Sequence, residues 1–255
     1  MQENSDKPDP DTDSMPARFD RLSSLMARFP MRITSAPPGA GNFGIVPGPN
    51  GGPDRAVLAP TGAPVDGAML AMDVDWGGAL NPLLKALPPL VELAGESDAD
   101  AGALIRLLVS ETRDARCGAP GAAARLCEVL VIRMLRAEIS RGAAGPGLLS
   151  GLTHPRVSRA LVAIHDDPGR PWRNADLAQV AGLSLSRFAQ LFGETVGLAP
   201  KAYLRHWRLA LARQDLAAGA RVKSVARRLG YSSPEALSRA VQAEFGASPT
   251  ELRAV

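Results

Sequence analysis

Two stretches in the last third of the chain repeat one pattern of apolar and polar positions. Each opens with a short amphipathic segment that ends at a glycine and continues through a serine into a second apolar stripe. The stripes recur at i, i+3 and i+4, as Phe188, Leu191 and Phe192 in the first copy and Leu237, Ala240 and Val241 in the second. A glycine can end one helix and a serine can cap the next. The pattern therefore predicts two helix-turn-helix units.

A generic helical hairpin is the alternative for each unit, because a Gly-turn-Ser connection between helices is common. Two copies in register make that alternative less favoured: Gly182 matches Gly230, and Ser184 matches Ser233. Residues 201–216 between the copies are rich in Ala, Leu and Arg, and they predict a helix of about 24 Å. Such a helix can place two recognition helices about one duplex turn apart on one face of DNA.

The periodicity of this linker helix also predicts which side chains are buried. Three apolar residues should face the core: Tyr203, Trp207 and Leu211. Three arginines should face solvent or phosphate: Arg205, Arg208 and Arg213. Arg205 is the candidate phosphate contact among them.

Helices are also predicted upstream, at residues 21–29, 98–114, 120–139 and 155–166. The second should be capped by Ser97 or Asp98, with an apolar stripe of Leu104, Leu107 and Leu108. The third carries a longer stripe: Ala123, Leu126, Cys127, Leu130, Val131 and Met134. That stripe either packs on its own domain or forms the seam of a homodimer. The fourth should bury Val157, Leu161 and Ile164.

The region before residue 98 predicts a different architecture. Residues 35–67 contain eight glycines and seven prolines in 33 positions, which excludes a helix and allows only short strands. We expect strands at 42–46, 56–59 and 68–76. Residues 1–20 are acidic and polar and predict a disordered tail. Residues 140–151 are rich in Gly and small residues and predict an interdomain linker.

Charge is divided between the two ends of the chain. Residues 151–255 contain 15 Lys and Arg against 8 Asp and Glu, a net charge of +7, whereas the rest contains 14 against 18, a net charge of −4. A basic domain beside an acidic one is typical of nucleic-acid-binding proteins. The N-terminus has no apolar signal core and the chain has no long apolar run, so we expect a cytoplasmic protein with no membrane partner.

Few residues suggest other chemistry. Cys117 and Cys127 are a candidate redox pair, since nearby arginines could depress a thiol pKa; an unrelated loop cysteine and core cysteine are the alternative. His154, His165 and His206 lack ligand spacing and should serve as cap, surface and packing residues. With no catalytic or nucleotide-binding fingerprint, the sequence predicts no enzyme, no cofactor and no metal site.

Residues 172–253 resemble the DNA-binding domain of the AraC/XylS-type transcription regulators. The resemblance rests on AGLS with the following F-x2-LF, then VARRLGYSS and FGASP. It implies base contacts at four residues of the first unit, Leu185, Ser186, Ala189 and Gln190, and four of the second, Pro234, Glu235, Ser238 and Arg239. Gln190 stands where arginine is frequent, which favours adenine over guanine. Leu237 and Val241 replace phenylalanines, which predicts a smaller second core.

Residues 81–93, NPLLKALPPLVEL, resemble a segment that follows the cupin-like sensor barrel in one branch of these regulators. The span before it is short for such a barrel, and no histidine precedes His154, which argues against a metal-binding cupin. We expect a mainly α protein: a disordered tail at 1–20, a reduced α+β cupin-like sensor and dimerisation domain at 21–140, a linker at 141–151, and a double helix-turn-helix domain at 152–255.

The expected function is sequence-specific binding of double-stranded DNA by two motifs in successive major grooves. The resemblance favours a homodimer. We expect a nucleoid-associated transcription regulator, either an activator or a repressor, with RNA polymerase and an unidentified small molecule or oxidant as further partners. The alternative is that the N-terminal module dominates function and DNA binding is weakened.

Overall fold

The structure is a computed structural model that describes residues 22–77, 81–114, 116–142 and 145–253. The tail predicted at 1–20 lies outside these residues. The N-terminal part carries five strands: β1 (Arg32–Ala36), β2 (Phe43–Pro47), β3 (Pro53–Leu58), β4 (Leu70–Asp75) and β5 (Val91–Ala94). Its helices are α1 (Ser23–Arg28), α2 (Pro82–Ala86), α3 (Ala99–Arg113) and α4 (Ala119–Arg141).

The strands form one antiparallel sheet in the order β1-β4-β2-β3-β5. Because β1 and β5 lie at its two ends, the predicted barrel is an open sheet within the described residues. Helices α3 and α4 pack on the sheet. Alternate residues such as Phe43, Ile45 and Met72 are buried in a core shared with these helices. The three predicted strands correspond to β2, β3 and β4, whereas β1 and β5 were missed.

The helix pair α3–α4 corrects two predictions. Asp98 caps α3 by accepting from the amide of Ala101, and it also accepts from Arg133 of α4 at 2.6 Å. Leu107 is 47% exposed, so its predicted place in the buried stripe is wrong; Ile105 and Val109 are buried instead. The α4 stripe lies against its own chain, with Cys127, Leu130, Val131 and Met134 fully buried. That stripe is therefore not a homodimer seam.

The C-terminal part is helical. It comprises α5 (Leu148–Thr153), α6 (Val157–Asp166), α7 (Asn174–Ala181), α8 (Leu185–Val196), α9 (Pro200–Ala217), α10 (Val222–Arg228) and α11 (Pro234–Phe245), then a 3-10 turn, Glu251–Arg253. Predicted helices at 155–166 and 201–216 are confirmed as α6 and α9. The predicted linker is partly helical, because α4 continues to Arg141 and α5 begins at Leu148.

The two parts share one hydrophobic core. The ring of Phe29, at the end of α1, meets the edge of Trp207 in α9 with centroids 5.7 Å apart. The indole of Trp76, just after β4, donates to the carbonyl of Phe29. Arg28 donates to the carbonyl of Asp166 at 3.4 Å. Helix α1 thus joins the sheet to the helical domain.

Candidate nucleic-acid interface

The first motif is α7, a turn and α8. Gly182 ends α7 in the left-handed conformation with φ 66°, and Ser184 caps α8 by accepting from the amide of Arg187. Phe188 and Phe192 are fully buried on the inner side of α8. Phe192 also meets Tyr203 of α9 edge-on at 5.8 Å. Both sequence-predicted features of the turn, the glycine and the serine cap, are confirmed.

The predicted base-contact residues of this motif lie on the other side of α8. Leu185, Ser186 and Gln190 are exposed and Ala189 is partly buried. Leu185 is 52% exposed, the highest value among the large exposed apolar side chains of the described helical domain. The amide nitrogen of Gln190 donates to Glu194 at 2.8 Å, which turns that amide along the helix. The predicted contacts of α8 are therefore uncharged, and the charged side chain of its first turn is the exposed Arg187.

The second motif is α10, a turn and α11. Gly230 has φ 70°, and Ser233 caps α11 by accepting from the amide of Ala236. Leu237 and Val241 are fully buried, so the smaller predicted core is filled. The hydrogen bond from Ser233 and the nearby Arg239 hold the pKa of the Glu235 carboxyl below its usual range.

The predicted contacts of this motif include charged groups. Glu235 and Arg239 are exposed one turn apart, and Pro234 and Ser238 are partly buried. The Ser238 hydroxyl donates to the carbonyl of Pro234 at 2.9 Å. Among the four residues, Arg239 carries the donors best suited to a base edge, because a guanidinium can form two hydrogen bonds with guanine.

The turn of the second motif lies directly on the loop that precedes the first. A Cβ built on Gly230 would overlap the carbonyl oxygen of Gly169, and one built on Gly169 would overlap the carbonyl oxygen of Arg228. Arg208 of α9 donates to the carbonyls of Pro168 at 2.6 Å and Arg170 at 2.8 Å. These contacts fix one motif relative to the other.

Two of the three linker arginines therefore depart from prediction. The guanidinium of Arg208 binds the carbonyls of the loop at 168–170, and burial lowers its pKa. Arg213 lies over the ring of Phe245 with its guanidinium 5.0 Å from the centroid. Arg205 is exposed as predicted. Tyr203, Trp207 and Leu211 are buried as predicted.

Cations that sequence reasoning missed lie around α8. A shallow hollow is bordered by Arg173, Asn174, Leu185, Ser186, Ala189 and Lys201. Lys201 also borders a second hollow, of about 260 Å³, together with Arg205 and Tyr231. Lys201 and Arg205 are one turn apart on α9, so a basic pair at i, i+4 was the available signal. Arg173 lies just before α7, where only the structure shows its proximity to α8.

The candidate redox pair is not assembled. Cys117 is exposed just before α4, whereas Cys127 is fully buried within it. The helical rise separates them by roughly 12 Å along the axis, which is beyond the reach of a disulfide. Burial raises the pKa of the Cys127 thiol, the opposite of the depression that a redox switch needs.

The histidines have structural surroundings. His154 accepts from the amides of Arg156 and Val157, as expected of a cap. His165, expected at the surface, is fully buried 2.6 Å from the Tyr203 hydroxyl, and burial lowers its pKa to about 3. His206, expected in packing, is half exposed at 3.9 Å from Glu244. No cluster of metal-binding side chains occurs in the described part of the chain.

Comparison with known proteins matches both parts of the chain. A family model described as helix-turn-helix domain matches residues 177–254. A family model described as cupin matches residues 25–140. Across residues 22–77, 81–114, 116–142 and 145–253, no helix has the length and apolar character needed to span a bilayer.

Relatives carry related names. A putative AraC-like transcription regulator of Streptomyces lividans is 34% identical over 67% of this chain. The HTH-type transcriptional regulator AlkR of Acinetobacter baylyi is 34% identical over 68% of it. The chain spans 58% of the length of each of these two relatives. A crystal structure of an AraC-type transcriptional regulator from Chromobacterium violaceum is 27% identical, covering 39% of this chain and 90% of that one, with a TM-score of 0.37.

The two matched regions correspond to the two parts of the fold. The cupin match covers α1 to α4 and the sheet, and the helix-turn-helix match covers both motifs and α9. The chain therefore carries a cupin domain followed by an AraC-type helix-turn-helix domain.

Proposed function

We propose that the chain regulates transcription by binding double-stranded DNA with α8 and α11 in successive major grooves. One observation carries the proposal: each helix is capped in the same way, buries its inner side, and has exposed side chains in its first turn, Leu185 and Ser186 in α8 and Glu235 in α11. HTH recognition helices contact base edges with their N-terminal residues. In the proposed domain plan, residues 152–255 bind DNA, 141–151 link, and 21–140 sense or dimerise.

Cations between the helices support a phosphate-binding surface. Arg173 and Lys201 flank α8, and Arg205 is exposed on the helix that joins the motifs. Phosphate contacts release counterions, so affinity should fall steeply as salt rises. The test is the binding of the purified chain to random duplex at several salt concentrations. A slope near zero would mean that this basic surface is idle.

That flat slope is also the result expected of the alternative function, in which the N-terminal module dominates. The packing of Phe29 against Trp207 gives that module direct contact with the helix between the motifs. In the favoured proposal, the same contact lets the N-terminal domain influence DNA binding.

A homodimer is part of the proposal, with a different surface from the one predicted. Leu107 of α3 is 47% exposed and Val129 of α4 is 42% exposed, so both helices carry an apolar side chain outward. Exposed apolar groups mark protein interfaces when they cluster. We expect the double substitution Leu107→Glu with Val129→Glu to lower the mass measured by light scattering, whereas Leu90→Glu, at an equally exposed leucine, should leave it unchanged.

An effector site is proposed at the junction of the two parts. Residues of α2, the end of α4, α5, α9 and α11 enclose a cleft of about 890 Å³. Small-molecule sites favour domain junctions and have volumes of this order. A small-molecule effector is therefore favoured over an oxidant. In the proposal the chain acts at the bacterial nucleoid as an activator that contacts RNA polymerase.

A further inference from the structure

At the tip of α8, the residues predicted to contact bases are uncharged, and the exposed Arg187 of the same turn lies about 200° around the helix from Leu185. Leu185 is the first residue of α8 and is 52% exposed, although burial of a leucine side chain stabilises a fold. Phe188 and Phe192 fill the core on the other side of the helix, so Leu185 has no share in that core. An exposed leucine at this position is available to a partner.

Ala189 extends this apolar surface. It lies four residues after Leu185, and residues at that spacing are neighbours on a helix surface. Both side chains border the same shallow hollow, whose other members include Arg173 and Lys201. The hollow thus has an apolar part on α8 and cations beside it. A polyanion with an apolar group on its inner edge matches that arrangement.

The hydrogen-bonding groups near the tip are few. Gln190 donates to Glu194, which directs its amide toward the C-terminal end of α8 and away from the tip. Ser186 is the remaining exposed polar side chain among the predicted contacts of this motif. By contrast, α11 presents the charged pair Glu235 and Arg239. The two recognition helices therefore offer different chemistry to a major groove.

One group in the major groove is recognised without hydrogen bonds. The C5-methyl group of thymine projects into it and makes apolar contacts with protein side chains. We infer that Leu185, supported by Ala189, recognises a thymine methyl group in the DNA block bound by the first motif. This inference rests on the proposed function and specifies the base chemistry of one half of it.

Replacement of thymine by deoxyuridine removes the methyl group and keeps the base pair. The full chain would first select its binding sequence from a random pool of duplexes. Duplexes of that sequence would then carry deoxyuridine at each thymine of the first block in turn. At one position we expect the affinity of the full chain to fall about three- to tenfold, the range of one buried methyl group. Leu185→Ala should lose a similar factor on the thymine duplex and bind both duplexes equally.

Three variants control this experiment. Leu90→Ala removes an equally exposed leucine, at 53%, from the N-terminal domain and should behave as the unaltered chain. Leu185→Met keeps an apolar side chain and should retain most of the deoxyuridine penalty. Arg239→Ala should retain all of it, because that residue belongs to the second motif.

Two results would overturn the inference. The first is that the unaltered chain binds every deoxyuridine duplex with the same affinity as the thymine duplex. The second is that Leu185→Ala shows the full loss of affinity on replacement of thymine by deoxyuridine. Both leave DNA binding itself intact. Failure of the unaltered chain to bind any selected duplex would instead overturn the proposed function, so the two failures are distinguishable.

Discussion

The two helix-turn-helix motifs share one local design but differ in what surrounds them. Helix α8 packs against α5, α6, α7 and α9, whereas the main contacts of α11 are with α9 and α10. The first core is aromatic, with Phe188 and Phe192 at 5.5 Å, and the second is aliphatic. A repeated sequence pattern therefore specifies the turn and the cap, while tertiary neighbours determine how each recognition helix is supported.

Packing neighbours and charged contact residues are distributed in opposite ways between the two motifs. The predicted base contacts are uncharged in the motif with more neighbours, whereas those of the motif with fewer include Glu235 and Arg239. The second motif gains its fixed position through its turn, where Gly230 meets Gly169, and through the bonds of Arg208 to the same loop. That contact is the structural link between the motifs.

The largest expected effect comes from the matched turn glycines. Gly230→Ala forces alanine into a left-handed conformation and also against the Gly169 carbonyl, so we expect a loss of roughly 2–5 kcal/mol in the free energy of unfolding. Gly182→Ala carries the conformational cost with only an arginine side chain nearby, and should lose about 1–2 kcal/mol. Denaturant unfolding measures both. Equal losses would contradict the role of the Gly169 contact.

The next largest effect is expected at Arg208, which binds the loop at 168–170. Arg208→Ala removes two hydrogen bonds from a charged donor to backbone carbonyls, and we expect a loss of about 2–3 kcal/mol in the free energy of unfolding. Arg205→Ala, three residues earlier and exposed, should change that free energy by less than about 0.5 kcal/mol. The same denaturant titrations separate the two, and comparable losses would argue against a special role for Arg208.

Base reading by the second motif should be lost without loss of stability. Arg239→Ala removes the candidate guanine contact, and we expect about 1–3 kcal/mol less discrimination at a single base pair. Competition binding with duplexes changed one position at a time measures this. Unchanged sequence preference would refute the assignment of Arg239.

The smallest effect is expected at the phosphate-facing surface. Arg205→Ala should weaken binding to all duplexes alike and reduce the slope of log affinity against log salt by about 1. Binding titrations of one specific and one random duplex at several salt concentrations provide the measurement. A loss confined to the specific duplex would assign Arg205 to base reading instead.

Local signals in the sequence were sufficient to predict the two helix-turn-helix motifs. Gly182 and Ser184 act through their own backbone and the next turn of helix, so their roles can be read from residue type and spacing. Tertiary contacts were not accessible in this way. Arg208 resembles any helical arginine until the loop at 168–170 is brought beneath it. His165 is likewise buried by Tyr203, which is distant in sequence.

The N-terminal part was harder to predict for a physical reason. Strand β5 has only four residues, and β1 is an edge strand that is mostly exposed, so neither carries a long apolar alternation. The periodicity of α3 predicts a buried Leu107 because the helical period alone cannot distinguish a helix side that faces the sheet from one that faces outward. The packing of α3 on the sheet determines which side of the helix is buried.

Selection of bound duplexes from a random pool by the full chain tests the central claim most directly. Two recognition helices in successive major grooves should enrich a motif of two short blocks about one helical turn apart, the second containing the guanine read by Arg239. Enrichment of a single block would contradict the use of both motifs. No enrichment, by the full chain or by residues 151–255, would contradict DNA recognition itself.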